Sequence, residues 1–289
     1  LYPGITPEIP FLCGQVPPAS QTFDGEDVFR RLLAHIEANP YKGPPDYGIL
    51  ALGTGEMKWA IAFRERLLGE AAAGRFTGPA HSVKWIQYEA ALRVYYVARI
   101  AETFPDLFAE EERVVLREWF ADINRRALTV EWVDWMYALA FAKRPEGPYE
   151  NQENGAGLLA LLEAEDLTSP ELAPLNRDYL ARCSKGWETR FRNTDDAFIY
   201  QIEWINNAYF QSLYFGEPPI EQMRRSFDWL MLQALPDAAP LTYNSPMAMS
   251  LAGIAYWSAD LLDDPRYLWL AGRALDNLEA EGGYLAAQP

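Results

Sequence analysis

Apolar residues recur with the period of an α-helix through almost the whole of this 289-residue sequence, and this periodicity constrains the fold more than any other feature. From Asp24 onward, apolar positions recur at three- and four-residue spacing and are interrupted by Pro, Gly, Asp and Asn, as in helices separated by breakers. Alternating runs of Val, Ile and Thr, which indicate β-strands, are nearly absent. The sequence therefore predicts an all-α protein with helices near residues 24–39, 54–73, 82–103, 109–127, 129–142, 152–165, 170–189, 196–215, 219–235, 245–263 and 265–281.

Short connections join several of these predicted helices. They are FPDLFAEEE, FGEPP and LDDPRY, and connections this short make consecutive helices antiparallel neighbours. Pro219 and Pro265 suit the first turn of the helix that follows each of the last two connections. Residues 1–23 lack the helical period and are rich in proline, so we expect an extended N-terminal arm.

The predicted helices are of two kinds. Residues 155–162 and 247–257 are apolar on many sides, whereas residues 110–126 carry one charged face. A helix that is apolar all round belongs inside a fold, and an amphipathic helix belongs outside. Alternation of the two kinds predicts an (α/α) toroid, complete or incomplete, that forms a single domain over residues 24–289. A helical solenoid is the competing layout, but the sequence shows no self-similarity at a fixed period.

Composition argues against several kinds of partner. The formal net charge is −16 and no basic run interrupts it, which argues against nucleic acid and against an anionic membrane surface. No apolar run reaches about 18 residues, so membrane insertion is not predicted. Cys13 and Cys183 lack metal-ligand spacing and are either a disulfide or two free thiols, and no metal or cofactor is predicted. The sequence begins at Leu1, which indicates a processed or shortened chain, and we expect a secreted or periplasmic protein.

Polar and aromatic residues collect where several predicted helices begin. In a toroid, the ends of the inner helices and their loops line one mouth, so we expect these residues to meet there. The candidates at these positions are His81, Asn151, Gln152, Asn154, Arg192, Tyr243 and Asn244. Each has a structural alternative, because residues such as Asn154, Asn193, Asp195 and Ser245 are also typical N-caps.

The predicted helix IEWINNAYFQSLYFG, residues 202–216, carries two adjacent asparagines in its middle. Asn206 falls inside the apolar stripe, and Asn207 falls on the side of Glu203. Asparagine is a poor helix former and costs free energy when it is buried without partners, and mid-helix positions exclude a capping role. Two explanations stay open: the amides line a cleft that holds a sugar, or they bond to a neighbouring helix. Trp204 is likewise either a sugar platform or a core residue.

The region from Trp204 to Met249 has an ordered pattern that extends beyond this helix. Its parts are Asn206–Asn207, Phe215–Gly216, an amphipathic helix, Pro236–Asp237, Tyr243 and Ser245–Pro246. This pattern resembles the α/α toroid domain of heparinase II/III-like and alginate-type polysaccharide lyases. The sequence departs from that family at Asn207, where the family has His, and after Ser-Pro, where Met-Ala replaces Tyr-His. The β-sandwich domains that commonly follow such a toroid are missing, so we expect a further domain in a longer protein.

The resemblance implies a polysaccharide lyase that cleaves a uronate-containing glycan by β-elimination. That reaction neutralises the C6 carboxylate, removes the C5 proton with a base and protonates the leaving glycosidic oxygen with an acid. The resemblance assigns the first task to Asn206 or Asn207 and the other two to Tyr243, and any His-dependent step would rest on His81. The implied substrate-binding residues are Asn151, Gln152, Asn154, Arg192, Glu203, Trp204 and Asn244, with Arg190, Arg224 and Arg225 as further basic residues near the site.

Other functions stay open. Carboxylates gather at the same predicted mouth, and two of them about 6.5–9.5 Å apart would suit an inverting glycoside hydrolase of the α/α barrel type. A non-catalytic carbohydrate-binding toroid, in which the asparagines are structural, is the third interpretation. A terpene cyclase is disfavoured because NTDDAFIY offers only two acids and no Asp-Asp-x-x-Asp run. The carboxylates that would serve the glycoside hydrolase are Glu150, Glu153, Asp195, Asp196 and Glu203.

Overall fold

The structure is a computed structural model that describes residues 23–39, 42–77, 85–128, 152–189, 198–216, 220–232 and 248–280. In these ranges the chain forms eleven helices and no strand, which confirms the predicted all-α class for the described residues. The helices are α1 (Gly25–Ala38), α2 (Pro44–Thr54), α3 (Met57–Ala72), α4 (Trp85–Thr103), α5 (Glu110–Leu128), α6 (Gln152–Ala164), α7 (Ala173–Thr189), α8 (Phe198–Phe215), α9 (Ile220–Leu232), α10 (Ala248–Leu262) and α11 (Pro265–Ala280).

Every predicted helix that falls on described residues is present, with its ends within a few residues of those expected. The prediction for residues 129–142 lies outside the described residues. Helix α2 was not predicted, because its sequence PPDYGILALGT has two prolines and two glycines, which are weak helix formers. Local signals nevertheless bound it: Pro44 occupies the first turn, and Gly55 ends the helix in the left-handed conformation at φ 69°.

The described helices divide into two compact units. We call one the terminal unit; it holds α1, residues 198–205 of α8, and α9 to α11. We call the other the central unit; it holds α2 to α7 and residues 206–216. The toroid arrangement, the single domain over residues 24–289 and the arm at 1–23 stay predictions, and all of the arm except Phe23 lies outside the described residues.

In the terminal unit, α10 and α11 pack along each other, and α1 packs against both. The α10–α11 contact agrees with the short connection LDDPRY that the sequence places between them. Asp24 caps α1 by accepting a hydrogen bond from the Glu26 backbone nitrogen at 2.9 Å. Phe23 lies on Gly272 of α11, where a Cβ atom would stand 2.2 Å from the phenylalanine ring.

Polar contacts tie the terminal unit together at both ends of α11. Near its C-terminus, Arg31 of α1 donates to Glu279 and Asp276 at 2.8–2.9 Å. Near its N-terminus, the buried Tyr267 donates to Asp228 of α9 at 2.7 Å. Because these partners are far apart in sequence, the contacts fix how α1 and α9 pack on α11.

In the central unit, α6 is the innermost helix. Residues 156–162 are all buried, and α6 packs against α4, α5 and α7. Burial on every side matches the all-round apolar sequence GAGLLALL. Helix α5 is amphipathic as predicted, with Phe120 and Ile123 in the core and Val115 exposed.

A buried ion pair joins α3 to α4 in the central unit. Arg93 is 4% exposed, and its guanidinium donates two hydrogen bonds of 3.0 Å to the carboxylate of Glu70. The same guanidinium lies 5.2 Å from the ring centre of Phe76, which is also buried. Across the described residues, no helix is both long and apolar enough to cross a membrane.

Candidate functional site

The amide of Asn206 is hydrogen-bonded to the phenol of Tyr88. Asn206 lies in the middle of α8 and Tyr88 in the first turn of α4, and Asn206 Nδ2 donates to Tyr88 Oη at 2.8 Å. Both residues belong to the central unit and both are partly exposed. An amide next to a phenol offers hydrogen-bond donors and acceptors to a ligand without adding charge. We call this contact the amide–phenol pair.

Asn207, the next residue along α8, lies instead in the packing between helices. Its side chain is fully buried. A Cβ atom on Gly157 of α6 would stand 2.1 Å from Asn207 Oδ1 and 3.2 Å from its Cα, so α8 approaches α6 closely because residue 157 is a glycine. The two adjacent amides therefore have different surroundings, and Asn206 is the more accessible one.

Two tyrosines, Tyr95 and Tyr209, follow the amide–phenol pair along the same two helices, and we call them the tyrosine pair. Tyr95 of α4 and Tyr209 of α8 pack against each other, with ring centres 6.3 Å apart at an interplanar angle of 70°. Burial, followed by the contact with Tyr209, raises the pKa of Tyr95 to about 12. Phe210 packs against the ring of Tyr95, with 5.6 Å between the two ring centres. Both side chains are partly exposed.

Tyr96 anchors this part of α4 to α2. A Cβ atom on Gly48 would stand 2.7 Å from the Tyr96 ring, so the glycine allows the ring to lie directly on α2. Burial raises the pKa of Tyr96 above its ordinary value, and the neighbouring phenols act in the same direction. Tyr96 is therefore a packing residue, whereas Tyr88 and Tyr95 are the tyrosines of α4 nearest the candidate site.

The guanidinium of Arg99, which acts on Tyr95, is paired with two carboxylates. Arg99 lies one turn beyond Tyr95 on α4, donates to Glu165 at 2.8 Å and is 3.2 Å from Glu102. The charge of the guanidinium is thereby balanced within the protein. Among the described side chains that act on Tyr95, Arg99 is the one cation.

The structure describes three of the predicted site side chains. Asn206 and Asn207 occupy the positions given above, and Trp204 is 3% exposed and belongs to the terminal unit. For Gln152, Asn154 and Glu203 it describes the backbone alone, in which Gln152 opens α6, so that Asn154 lies inside the first turn rather than at an N-cap. The predicted site residues outside the described part are His81, Asn151, Arg192, Tyr243 and Asn244.

The remaining sequence candidates divide in the same way. Arg224 is partly buried in the terminal unit, where it donates to Asp264 at 3.3 Å and to the Leu262 carbonyl at 3.2 Å. Arg225 is exposed on α9. The structure describes none of the side chains of the carboxylates that would serve a hydrolase, which are Glu150, Glu153, Asp195, Asp196 and Glu203.

Sequence reasoning missed Tyr88, Tyr95 and Tyr209 as site residues. Tyr88 and Tyr95 are seven positions apart on α4 and therefore share one helix face, and Tyr209 is three positions after Asn206 on α8. This spacing was visible in the sequence. Only the folded chain shows that the two faces meet.

The described residues contain no group of three or more His, Cys, Asp or Glu side chains that could hold a metal ion. Comparisons with protein-family models, curated proteins and solved structures find no significant match to this chain. For the described residues, what is established is therefore an all-α fold with a partly exposed amide–phenol pair in the central unit.

Proposed function

We propose that this protein is a polysaccharide lyase that cleaves a uronate-containing glycan by β-elimination. The observation that supports this most directly is the partial exposure of an adjacent amide and phenol, Asn206 and Tyr88, whose 2.8 Å hydrogen bond also links α8 to α4. An amide that binds a carboxyl group and a phenol that exchanges a proton are the two groups this reaction requires. The proposal includes a secreted or periplasmic location.

Asn206 is the residue assigned to the substrate carboxylate. Tyr88 is its one hydrogen-bond partner among the described residues, and this bond uses one of the two amide hydrogens. The second amide hydrogen is available to the C6 carboxyl group of the sugar. A hydrogen bond to that group stabilises the negative charge that develops when the C5 proton leaves. Asn207 is assigned to packing, because it is fully buried.

A phenolate is assigned to the proton transfers. It takes the C5 proton, the C4–O bond breaks, and the resulting phenol returns a proton to the leaving oxygen, so that the product carries a C4=C5 double bond. Tyr243 is the phenol that the resemblance assigns to this role. Tyr88 is the phenol found next to Asn206, which donates a hydrogen bond to its oxygen.

The test is a screen of the intact chain against alginate, polygalacturonate, hyaluronan, chondroitin and heparan sulfate, with absorbance in the near ultraviolet as the readout. The conjugated double bond absorbs there, whereas the product of hydrolysis does not. Ultraviolet-absorbing product that is lost in Asn206→Ala supports the proposal. No such product from any of these polymers would overturn it.

The same screen separates the alternatives. New reducing ends without ultraviolet absorbance would identify the glycoside hydrolase. Binding of a polymer without any new ends would identify a non-catalytic carbohydrate-binding protein. Replacing Tyr88 and Tyr243 by Phe, one at a time, then shows which phenol carries the proton.

A further inference from the structure

We propose that Tyr95 and Tyr209 form a sugar subsite next to the amide–phenol pair and that this subsite accepts an uncharged sugar residue. The inference rests on the proposed function, because it treats Asn206 and Tyr88 as the place where the uronate binds. It adds a second position on the glycan, together with the chemical character of the sugar that occupies it.

The position of the subsite follows from the two helices. Tyr95 lies seven residues after Tyr88 on α4, and Tyr209 lies three residues after Asn206 on α8, so both steps run toward the C-terminal ends of these helices. At about 1.5 Å per residue the steps are roughly 10 Å and 4.5 Å along the helix axes. A glycan lying along α4 and α8 therefore meets the amide–phenol pair and then the tyrosine pair.

The tyrosine pair has the chemistry of a sugar-binding surface. Its two rings are nearly perpendicular at 6.3 Å between centres, and both side chains are partly exposed, so part of each side chain is accessible to a ligand. A sugar ring has apolar C–H faces and hydroxyls at its rim, and tyrosine combines an apolar body with a polar tip. Phe210 fixes the ring of Tyr95 from the core side, so the pair is held in place before any ligand binds.

The surroundings favour an uncharged sugar over a second uronate. The guanidinium of Arg99 is already paired with Glu165 and Glu102, and neither tyrosine supplies a cation. A carboxylate at this subsite would gain no uncompensated cation from these neighbours and would face Glu102, whose side chain is 63% exposed. Neutral hydroxyls, in contrast, can bond to the phenols without a charge penalty.

The binding test uses neutral hexasaccharides of glucose, mannose, galactose, xylose or N-acetylglucosamine, and hexagalacturonate as the charged probe. Binding to the intact chain is measured by calorimetric titration. At least one neutral hexasaccharide is expected to bind. Tyr95→Phe and Tyr209→Phe, which remove only a hydroxyl, are expected to weaken it about three- to tenfold each, in line with the loss of one hydrogen bond.

Tyr47→Phe is the matched control, because Tyr47 is a partly buried tyrosine of α2 that packs on Trp59. It is expected to leave binding unchanged. The inference is overturned if no neutral hexasaccharide binds, if neither tyrosine variant weakens binding more than the control, or if hexagalacturonate binds equally well through the same two tyrosines.

Failure of the subsite and failure of the lyase are distinguishable. If neutral sugars bind through Tyr95 and Tyr209 but no polymer yields an ultraviolet-absorbing product, the subsite stands and the lyase fails. If product forms but the KM and kcat for the polymer are unchanged in both tyrosine variants, the lyase stands and the subsite fails. With both correct, the two variants raise KM and leave kcat within about twofold, since the reacting groups are intact.

Discussion

Gly157 lies so close to Asn207 that a single added carbon would collide with it. A Cβ atom on Gly157 would stand 2.1 Å from Asn207 Oδ1, 2.9 Å from its Cγ and 3.2 Å from its Cα. Because Asn207 is fully buried, it cannot swing out of the way into solvent. The contact therefore sets how closely the Asn207 part of α8 packs on α6.

Gly157→Ala is expected to destabilise the protein by about 1–3 kcal/mol, because the methyl group overpacks a buried helix contact. Chemical denaturation measures the free energy of unfolding. Gly69→Ala is the matched control: Gly69 lies within α3 of the same unit, and a Cβ there meets nothing within 4 Å. The control is expected to be neutral or to stabilise by about 0.5–1 kcal/mol. Equal stability of the Gly157 variant and wild type would contradict the close approach.

Asn206→Ala is expected to lower kcat on the polymer that the wild type cleaves by about 10²–10³, the usual effect of removing a donor that stabilises developing charge. Its stability is expected to fall by only about 0.5–1.5 kcal/mol, because one partly exposed hydrogen bond is lost. Ultraviolet absorbance and chemical denaturation give the two numbers. An Asn206→Ala protein that loses stability but keeps full activity would place Asn206 in structure and not in catalysis.

Arg93→Ala is expected to cost about 1–3 kcal/mol, because the carboxylate of Glu70 loses its bidentate partner and keeps only Arg75 at 3.5 Å. Arg125→Ala is the matched control in the same unit, since Arg125 pairs with Asp122 on the exposed side of α5. The control is expected to change stability by less than about 1 kcal/mol. If both variants lower the free energy of unfolding by similar amounts, burial does not strengthen the contribution of the Arg93 pair to stability.

We expect the contact between Arg31 and Glu279 to make the stability of the terminal unit decrease in acid. The hydrogen bonds that Glu279 accepts from Arg31, together with its hydrogen bond to His35, hold the pKa of Glu279 below its ordinary value of 4.5. A carboxyl group with a lowered pKa in the folded state stabilises the fold above its unfolded pKa, and this contribution is lost as pH falls through the folded pKa.

Glu279→Gln is therefore expected to be less stable than wild type at pH 7 by up to about 1 kcal/mol, a small value because the pair is partly exposed. The difference should shrink as the pH falls below 4.5 and vanish below the folded pKa. Denaturation curves at several pH values test this, with the exposed Glu221→Gln on α9 as the control. A difference that does not change with pH would contradict the ionic origin.

Tyr267→Phe is expected to cost about 1–3 kcal/mol, because the partly buried carboxylate of Asp228 loses the donor at 2.7 Å. Burial already raises the pKa of Asp228, and the bond from Tyr267 opposes that shift, so the variant should raise the pKa further. Unfolding free energy and NMR titration of Asp228 measure both effects. Tyr256→Phe is the control, since its ring stacks on Phe29 at 5.5 Å and is only partly buried.

The helices could be predicted from sequence because each carries its own apolar period and breakers, as GAGLLALL in α6 shows. Helix α2 could not, because its prolines and glycines hide a helix that its packing against α3 and α4 supports. The amide–phenol pair was half predicted: Asn206 stood out as an amide in an apolar stripe. Its partner Tyr88 is 118 residues away, and no local pattern joins them.

Sequence reasoning also could not separate Asn206 from Asn207. Adjacent residues on a helix are 100° apart, and both amides lay beside apolar positions. What separates them is a glycine on another helix, because Gly157 leaves room for the Asn207 amide. The contrast between the buried and the partly exposed amide is therefore a property of α6 as much as of α8.

The contact between Phe23 and Gly272 has a consequence for the evolution of the chain. The phenylalanine ring fills the space that a methyl group at 272 would need, with the nearest ring carbon at 2.2 Å. The two positions are therefore expected to covary among homologous sequences. Sequences with alanine or a larger residue at position 272 are expected to lack an aromatic residue at position 23.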